Sequence, residues 1–134
     1  MAVFGTTIKE ALTGAIVVGA PVSAQTIAAA GVYTSAAIDL NQMKPCGYFG
    51  LQYTITGTGT VKIQYLLSND GTTYVVPDAA SDIGTSLTAS SGAGSDGKGY
   101  LSFSPECARY MKIRVTETGA STGVVFTGVL AIQA

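Results

Sequence analysis

Between positions 48 and 76 the apolar and polar residues alternate with a period of two. Phe49, Leu51, Tyr53 and Ile55 are separated by Gly50, Gln52 and Thr54, the pattern of a strand that buries one face and wets the other. After Gly57-Thr58-Gly59, the residues Val61, Ile63, Tyr65 and Leu67 alternate with Lys62, Gln64 and Leu66. Two amphipathic strands on either side of a short glycine-rich turn predict a β-hairpin. Ser68-Asn69-Asp70-Gly71 then offers residues that bond back to the backbone or accept the left-handed region, and a short strand at 73–76 ends at Pro77.

The remaining segments extend the all-β pattern. Residues 1–10 form an arm without a strong period. Residues 11–30 are apolar, but Thr13, Gly14, Gly19, Pro21, Ser23, Gln25 and Thr26 interrupt them, whereas a membrane span needs about 20 nearly continuous apolar residues. The stretch is therefore expected to belong to the fold rather than to a span or a leader. Within it, 15–18 reads as a strand apolar on both faces and stopped by Gly19 and Pro21, and 25–29 as a second strand or a short helix. Positions 32–40 are extended, with Ile38 and Leu40 inward and Asp39 outward. A connection containing Pro45 leads to the central pair of strands.

Residues 77–99 are rich in Ser, Gly and Asp and read as a long loop, with Ile83 and Leu87 able to anchor a brief edge strand and a mobile tip at 90–99. Strands return at 100–104 and at 109–116, where Met111, Ile113 and Val115 face inward and Tyr110, Lys112 and Arg114 outward. Residues 117–123 form a turn. The last strand, 124–132, places Val124, Phe126, Leu130 and Ile132 on one side and Val125, Val129 and Ala131 on the other, so it is expected to be central or covered by a partner. About eight strands and no helix predict an antiparallel two-sheet β-sandwich of jelly-roll type. Residues 1–30 are expected to supply an N-terminal arm and first strand with intersubunit contacts, and residues 31–134 the sandwich.

Composition sharpens this picture. In a chain of 134 residues, 47% are hydrophobic and 11% charged, against about 25% charged in an ordinary soluble protein. With so little charge to cover the outside, part of the surface is expected to be covered by neighbouring subunits. Ile16, Val17, Val18, Val22, Ile27, Val125 and Val129 are the candidate assembly contacts. A net charge of −1 with dispersed Lys and Arg offers no field for a nucleic acid.

No histidine is present, which removes the commonest general base and metal ligand. Cys46 and Cys107 form no C-x-x-C motif, but both precede strands and could meet as a disulfide or lie as two buried thiols. Gly57-Thr58-Gly59 lacks the length and the Lys-Ser or Lys-Thr of a phosphate loop. Asn69-Asp70-Gly71, Asp78 and Asp82 fit no calcium-loop spacing and are explained by turn chemistry. No pair of carboxylates stands out for glycoside chemistry, Glu117 among them being read as a solvated turn residue. No catalytic, cofactor or metal residues are therefore assigned, and the chain is not expected to be an enzyme. A sugar-stacking face drawn from Tyr48, Tyr53, Tyr65, Tyr74, Tyr100 and Tyr110 together with the loop 77–99 is the alternative, with Tyr53 and Tyr65 read as packed inward and Tyr48, Tyr74 and Tyr110 as exposed.

The run Ser68 to Tyr74, the polar loop after it, the segment Ala-Arg-Tyr-Met-Lys-Ile-Arg-Val-Thr at 108–116 and the Val-rich last strand resemble small β-sandwich structural proteins of tailed bacteriophages, over roughly residues 32–134. The same Ser-x-Asp-Gly-Thr run also resembles discoidin-like and carbohydrate-binding sandwiches, which often carry Trp where this chain has Tyr74. The phage resemblance implies a non-enzymatic virion component that decorates or stabilises the capsid, with copies of itself and other virion proteins as partners and no membrane or nucleic acid. The second resemblance implies an adhesin-like glycan binder of a tail fibre or cell surface.

Overall fold

The computed structural model describes residues 16–40, 49–78 and 82–133. The strands are β1 (Ile16–Ile27), β2 (Val32–Thr34), β3 (Ile38–Asp39), β4 (Phe49–Gly57), β5 (Val61–Ser68), β6 (Asp82–Leu87), β7 (Lys98–Phe103), β8 (Tyr110–Glu117) and β9 (Val124–Gln133). Sheet A has the order β1-β9-β4-β7. Sheet B has the order β2-β8-β5-β6, with β3 also on β8. Every pairing is antiparallel. Strands from the first half of the chain pair with strands from the second, β1 with β9, β2 with β8, β4 with β7 and β5 with β6, which is the rolled-up topology of a jelly roll.

The expected hairpin is corrected by this topology. β4 and β5 do not pair, because they lie in different sheets. Their apolar faces are the ones the alternation predicts: Phe49, Leu51, Tyr53 and Ile55 on β4 and Val61, Ile63, Tyr65 and Leu67 on β5 are all buried. They belong to the two opposed inner faces of the sandwich rather than to one face of a ribbon. The intervening residues form an arch that carries the chain from sheet A to sheet B. Gly57 adopts φ +98°, a region L-residues avoid. A Cβ on Gly59 would stand 2.8 Å from the Thr122 carbonyl oxygen. That second arch, residues 118–123, crosses back from sheet B to sheet A alongside the first, and Thr118 N–H donates to Thr60 O at 2.8 Å.

β8 and β9 complete the core. Met111, Ile113 and Val115 from β8 and Val124, Phe126, Leu130 and Ile132 from β9 are buried as expected, and β9 is central in sheet A. Phe103 packs on Phe49 in its own sheet at 5.4 Å between centroids and on Tyr65 across the sandwich at 5.5 Å, within the range of favourable aromatic pairs.

Several elements differ from the expectation for identifiable reasons. β1 does not stop at Gly19 and Pro21 but runs to Ile27, absorbing Pro21 and Ala24 (φ +45°) through register irregularities between Gly19 and Gln25. As the edge of sheet A it has one side without a ladder, where a proline and bulges are tolerated. The extended stretch 32–40 is broken into β2 and β3 at Ser35. This buried serine accepts the Ile113 N–H through Oγ at 3.0 Å while its own N–H donates to Ile113 O at 2.9 Å.

Gln64 and Leu66, expected to be wet, are buried. Gln64 is satisfied on the outer side of sheet B, its amide donating to Asp82 and accepting two N–H bonds from Arg114. The strand expected at 73–76 is reduced to one bridge, Val75 with Leu67. Ile83 and Leu87 do anchor an edge strand, β6, and the tip beyond it is closed by bonds such as Gly97 N–H to Ser91 O at 2.9 Å.

Candidate assembly interface

The two outer faces of the sandwich carry different chemistry. Period-two alternation turns Val125, Thr127, Val129 and Ala131 of β9 outward, opposite the buried residues of the same strand. Register places Val18, Ala131, Gly50 and Ser102 in one row across sheet A, and Val129, Gln52 and Tyr100 in the next. Lys98 is the single charged residue in the four strands of sheet A. Sheet B instead carries Asp39, Lys62, Asp82, Lys112 and Arg114 in its strands, besides the buried Glu117. Tyr100 is 61% exposed, Val18 50% and Val125 37%. The Tyr100 ring folds over Gly50, where a Cβ would overlap it.

The predicted assembly residues divide sharply. Val18, Val125 and Val129 gather on the outer face of sheet A. Val22 and Ile27 are buried in the chain's own core; the bulges in β1 shift the phase of its alternation, which the sequence pattern alone does not reveal. The side chains of Ile16 and Val17 lie outside the described residues. Cys107 is a free, exposed thiol rather than a buried one, and Cys46 lies outside the described residues.

At one end of the sandwich a different arrangement stands out. Glu117, expected to be a solvated turn residue, is 1% exposed. Its Oε1 accepts the N–H groups of Ala30 (2.9 Å) and Ala120 (2.8 Å), and its Oε2 those of Thr60 (2.9 Å) and Gly119 (2.8 Å). These donors come from three of the connections that cross between the sheets, those at this end of the sandwich: β1 to β2, β4 to β5 and β8 to β9. The Ala30 and Thr60 N–H bonds are the largest cause holding the carboxyl down at about 2, from an ordinary 4.5. The signal for it was present: residue 117 continues the inward phase of Met111, Ile113 and Val115.

At the other side, Leu67, Asn69, Asp70, Val75, Cys107 and Ala108 help to line an open depression of about 250 Å³. Its carboxylate is committed to the turn. Asp70 Oδ1 accepts the Thr72 and Thr73 N–H groups, both at 2.8 Å, and the Ser68 hydroxyl at 2.9 Å, which hold its pKa near about 2. Tyr65 reaches the rim to donate to Glu106 Oε1 at 2.8 Å, and burial, then Glu106, pushes its phenol up to about 12.

Tyr74 and Tyr110 are half-buried rather than exposed. Lys112 Nζ sits 4.3 Å from the Tyr74 ring centroid and Arg109 Cζ 5.0 Å from that of Tyr110, so cations already occupy the vicinity of both rings. Tyr48 lies outside the described residues. Among the described residues no three His, Cys, Asp or Glu side chains gather to hold a metal, and no helix is long and apolar enough to cross a membrane.

No protein-family model and no curated protein sequence matches the chain. Among solved structures it is similar to PliG of Aeromonas hydrophila, a periplasmic inhibitor of g-type lysozyme, at 15% identity over 90% of this chain and 84% of that one, with a TM-score of 0.41. It is also similar to a chain in the structure of infectious bursal disease virus Gx strain, at 13% identity over 89% of this chain and 31% of that one, with a TM-score of 0.45. A third similar chain is the SPBc2 prophage-derived protein YomS, at 13% identity over 87% and 92% of the two chains, with a TM-score of 0.40. These likenesses assign no role to any residue.

Proposed function

We propose that this chain is a non-enzymatic structural protein of a tailed-bacteriophage virion, decorating or stabilising the capsid through the outer face of sheet A. The observation that carries the reading is the partition of charge between the two sides of the sandwich. The strands of sheet A contain one charged residue, Lys98, and expose Val18, Val125 and Tyr100. Depletion of charge with aromatic and aliphatic anchors is the composition of an interface centre. The sequence resemblance at residues 68–74 and 108–116 supplies the virion context, and the charged outer side of sheet B is the side left to solvent.

The test is incorporation. Particles assembled with Val125→Glu should lack the chain when purified virions are analysed by mass spectrometry, while the wild-type chain copurifies in fixed ratio to the shell protein. The variant replaces an exposed side chain and should fold with an unchanged far-UV spectrum. Full incorporation of Val125→Glu would move the contact to another surface, and absence of the wild-type chain from virions would remove the reading.

A further inference from the structure

Edge strands expose unpaired N–H and C=O groups, and folded chains ordinarily blunt them. Three of the edges here are blunted. β1 carries Pro21, two register irregularities and Ala24 at φ +45°. β2 and β3 are three and two residues long. β6 has two register irregularities and Ser86 at φ +53°. Among the described residues β7 has none of these devices and no strand on its far side: its register with β4 is unbroken from Phe49 opposite Phe103 to Thr54 opposite Lys98, and it contains neither proline nor bulge.

The direction of its free groups follows from two hydrogen bonds. Ile55 N–H donates to Gly97 O at 2.8 Å, so in an antiparallel ladder residues 99, 101 and 103 turn their backbone groups towards β4 and residues 98, 100 and 102 turn theirs away. Lys98 N–H accordingly points off the sheet, to the Asp96 carboxylate at 3.2 Å. Tyr100 and Ser102 come next along the same open side. The flank they border is also where the core is least covered: Ile83, Leu87, Leu101 and Phe103 pack against it only half-buried.

We infer that β7 pairs antiparallel with β7 of a second copy of this chain about a twofold axis at Leu101. Tyr100 then stands opposite Ser102 of the other copy, giving about four backbone hydrogen bonds, and the two Leu101 side chains meet on the axis above the half-open flank. The antiparallel register also sets each Lys98 opposite Ser104 and keeps the two lysines roughly 20 Å apart, so the one charged side chain on this strand raises no like-charge contact. The two sheets A become one continuous sheet, with their outer faces, on which Lys98 is the one charged residue among the described strands, on the same side. This contact rests on the reading of the chain as an assembly subunit, yet that reading does not require it, since a monomer could dock on a shell by sheet A alone.

Sedimentation velocity over a concentration series, with amide exchange read at Tyr100 and Ser102, tests it. The wild type should sediment as a dimer, with both amides slowed as the dimer fills. Ser102→Pro replaces an N–H that points away from β4, so its far-UV spectrum should be unchanged and its melting temperature should match that of the wild type at dilutions where the dimer has dissociated, while it sediments as the 13.6 kDa monomer at every concentration. A wild type that stays monomeric, a Ser102→Pro variant that dimerises as the wild type does, or fast exchange at Tyr100 and Ser102 in the wild-type dimer would each overturn the inference; the last needs no variant. Because incorporation of Val125→Glu into virions is read separately, loss of that variant from particles alongside a monomeric wild type would end this inference and leave the proposed function standing.

Discussion

Glu117 accepts N–H bonds from Ala30, Thr60, Gly119 and Ala120, two on each oxygen, so a proton on either oxygen sets an O–H donor against two N–H donors and the ionised form is favoured. Its folded pKa of about 2 lies below the ordinary 4.5, so the unfolded chain binds the extra proton and stability rises with pH through that window. The contribution is complete above pH 4.5 and is lost as the pH falls towards 2. Glu117→Gln presents an NH2 group to backbone donors and should lower the urea midpoint at pH 7. The gap between wild type and variant should then narrow between pH 4.5 and 2; a gap independent of pH would show that the carboxylate is not the ionised acceptor. The burial of Glu117 was legible in the alternation of β8, but a charged residue beside Thr-Gly-Ala-Ser reads as a turn unless that phase is followed one step further.

At the scale of elements, strand faces were readable and strand partners were not. Alternation reports which side of a strand is apolar, and it is equally satisfied when β4 and β5 pair or when they face each other across the core. What separates the two is the arch, where Gly59 leaves no room for a side chain beside Val124 and Thr122. Gly59→Ala forces a contact with fixed backbone, and by the usual cost of overpacking it should destabilise by about 1–3 kcal/mol, seen as a lower urea midpoint with the slope unchanged.

β9 offers a test of the two faces on one strand. Leu130 is 0% exposed, so Leu130→Ala should cost about 2–5 kcal/mol. Val125→Thr, on the outer face, should stay within about 0.5 kcal/mol of wild type. Equal losses at the two positions in denaturant melts would mean that the outer face is packed within the monomer.

For the whole molecule, the sequence composition pointed to a covered surface, expected along residues 1–30 and the last strand. The fold sorts those candidates, turning Val18, Val125 and Val129 to the outer face of sheet A and drawing Val22 and Ile27 inside, so the proposed contact falls on sheet A. Of the charges within the described strands, the jelly-roll topology gathers all but Lys98 on sheet B. The measurement that bears most directly on this account is a cryo-electron microscopy map of the virion at side-chain detail. It should show a neighbouring subunit packed over Val125, Val129 and Tyr100, with Lys62, Lys112 and Arg114 in solvent. Density that leaves the outer face of sheet A bare while sheet B meets the shell would contradict it.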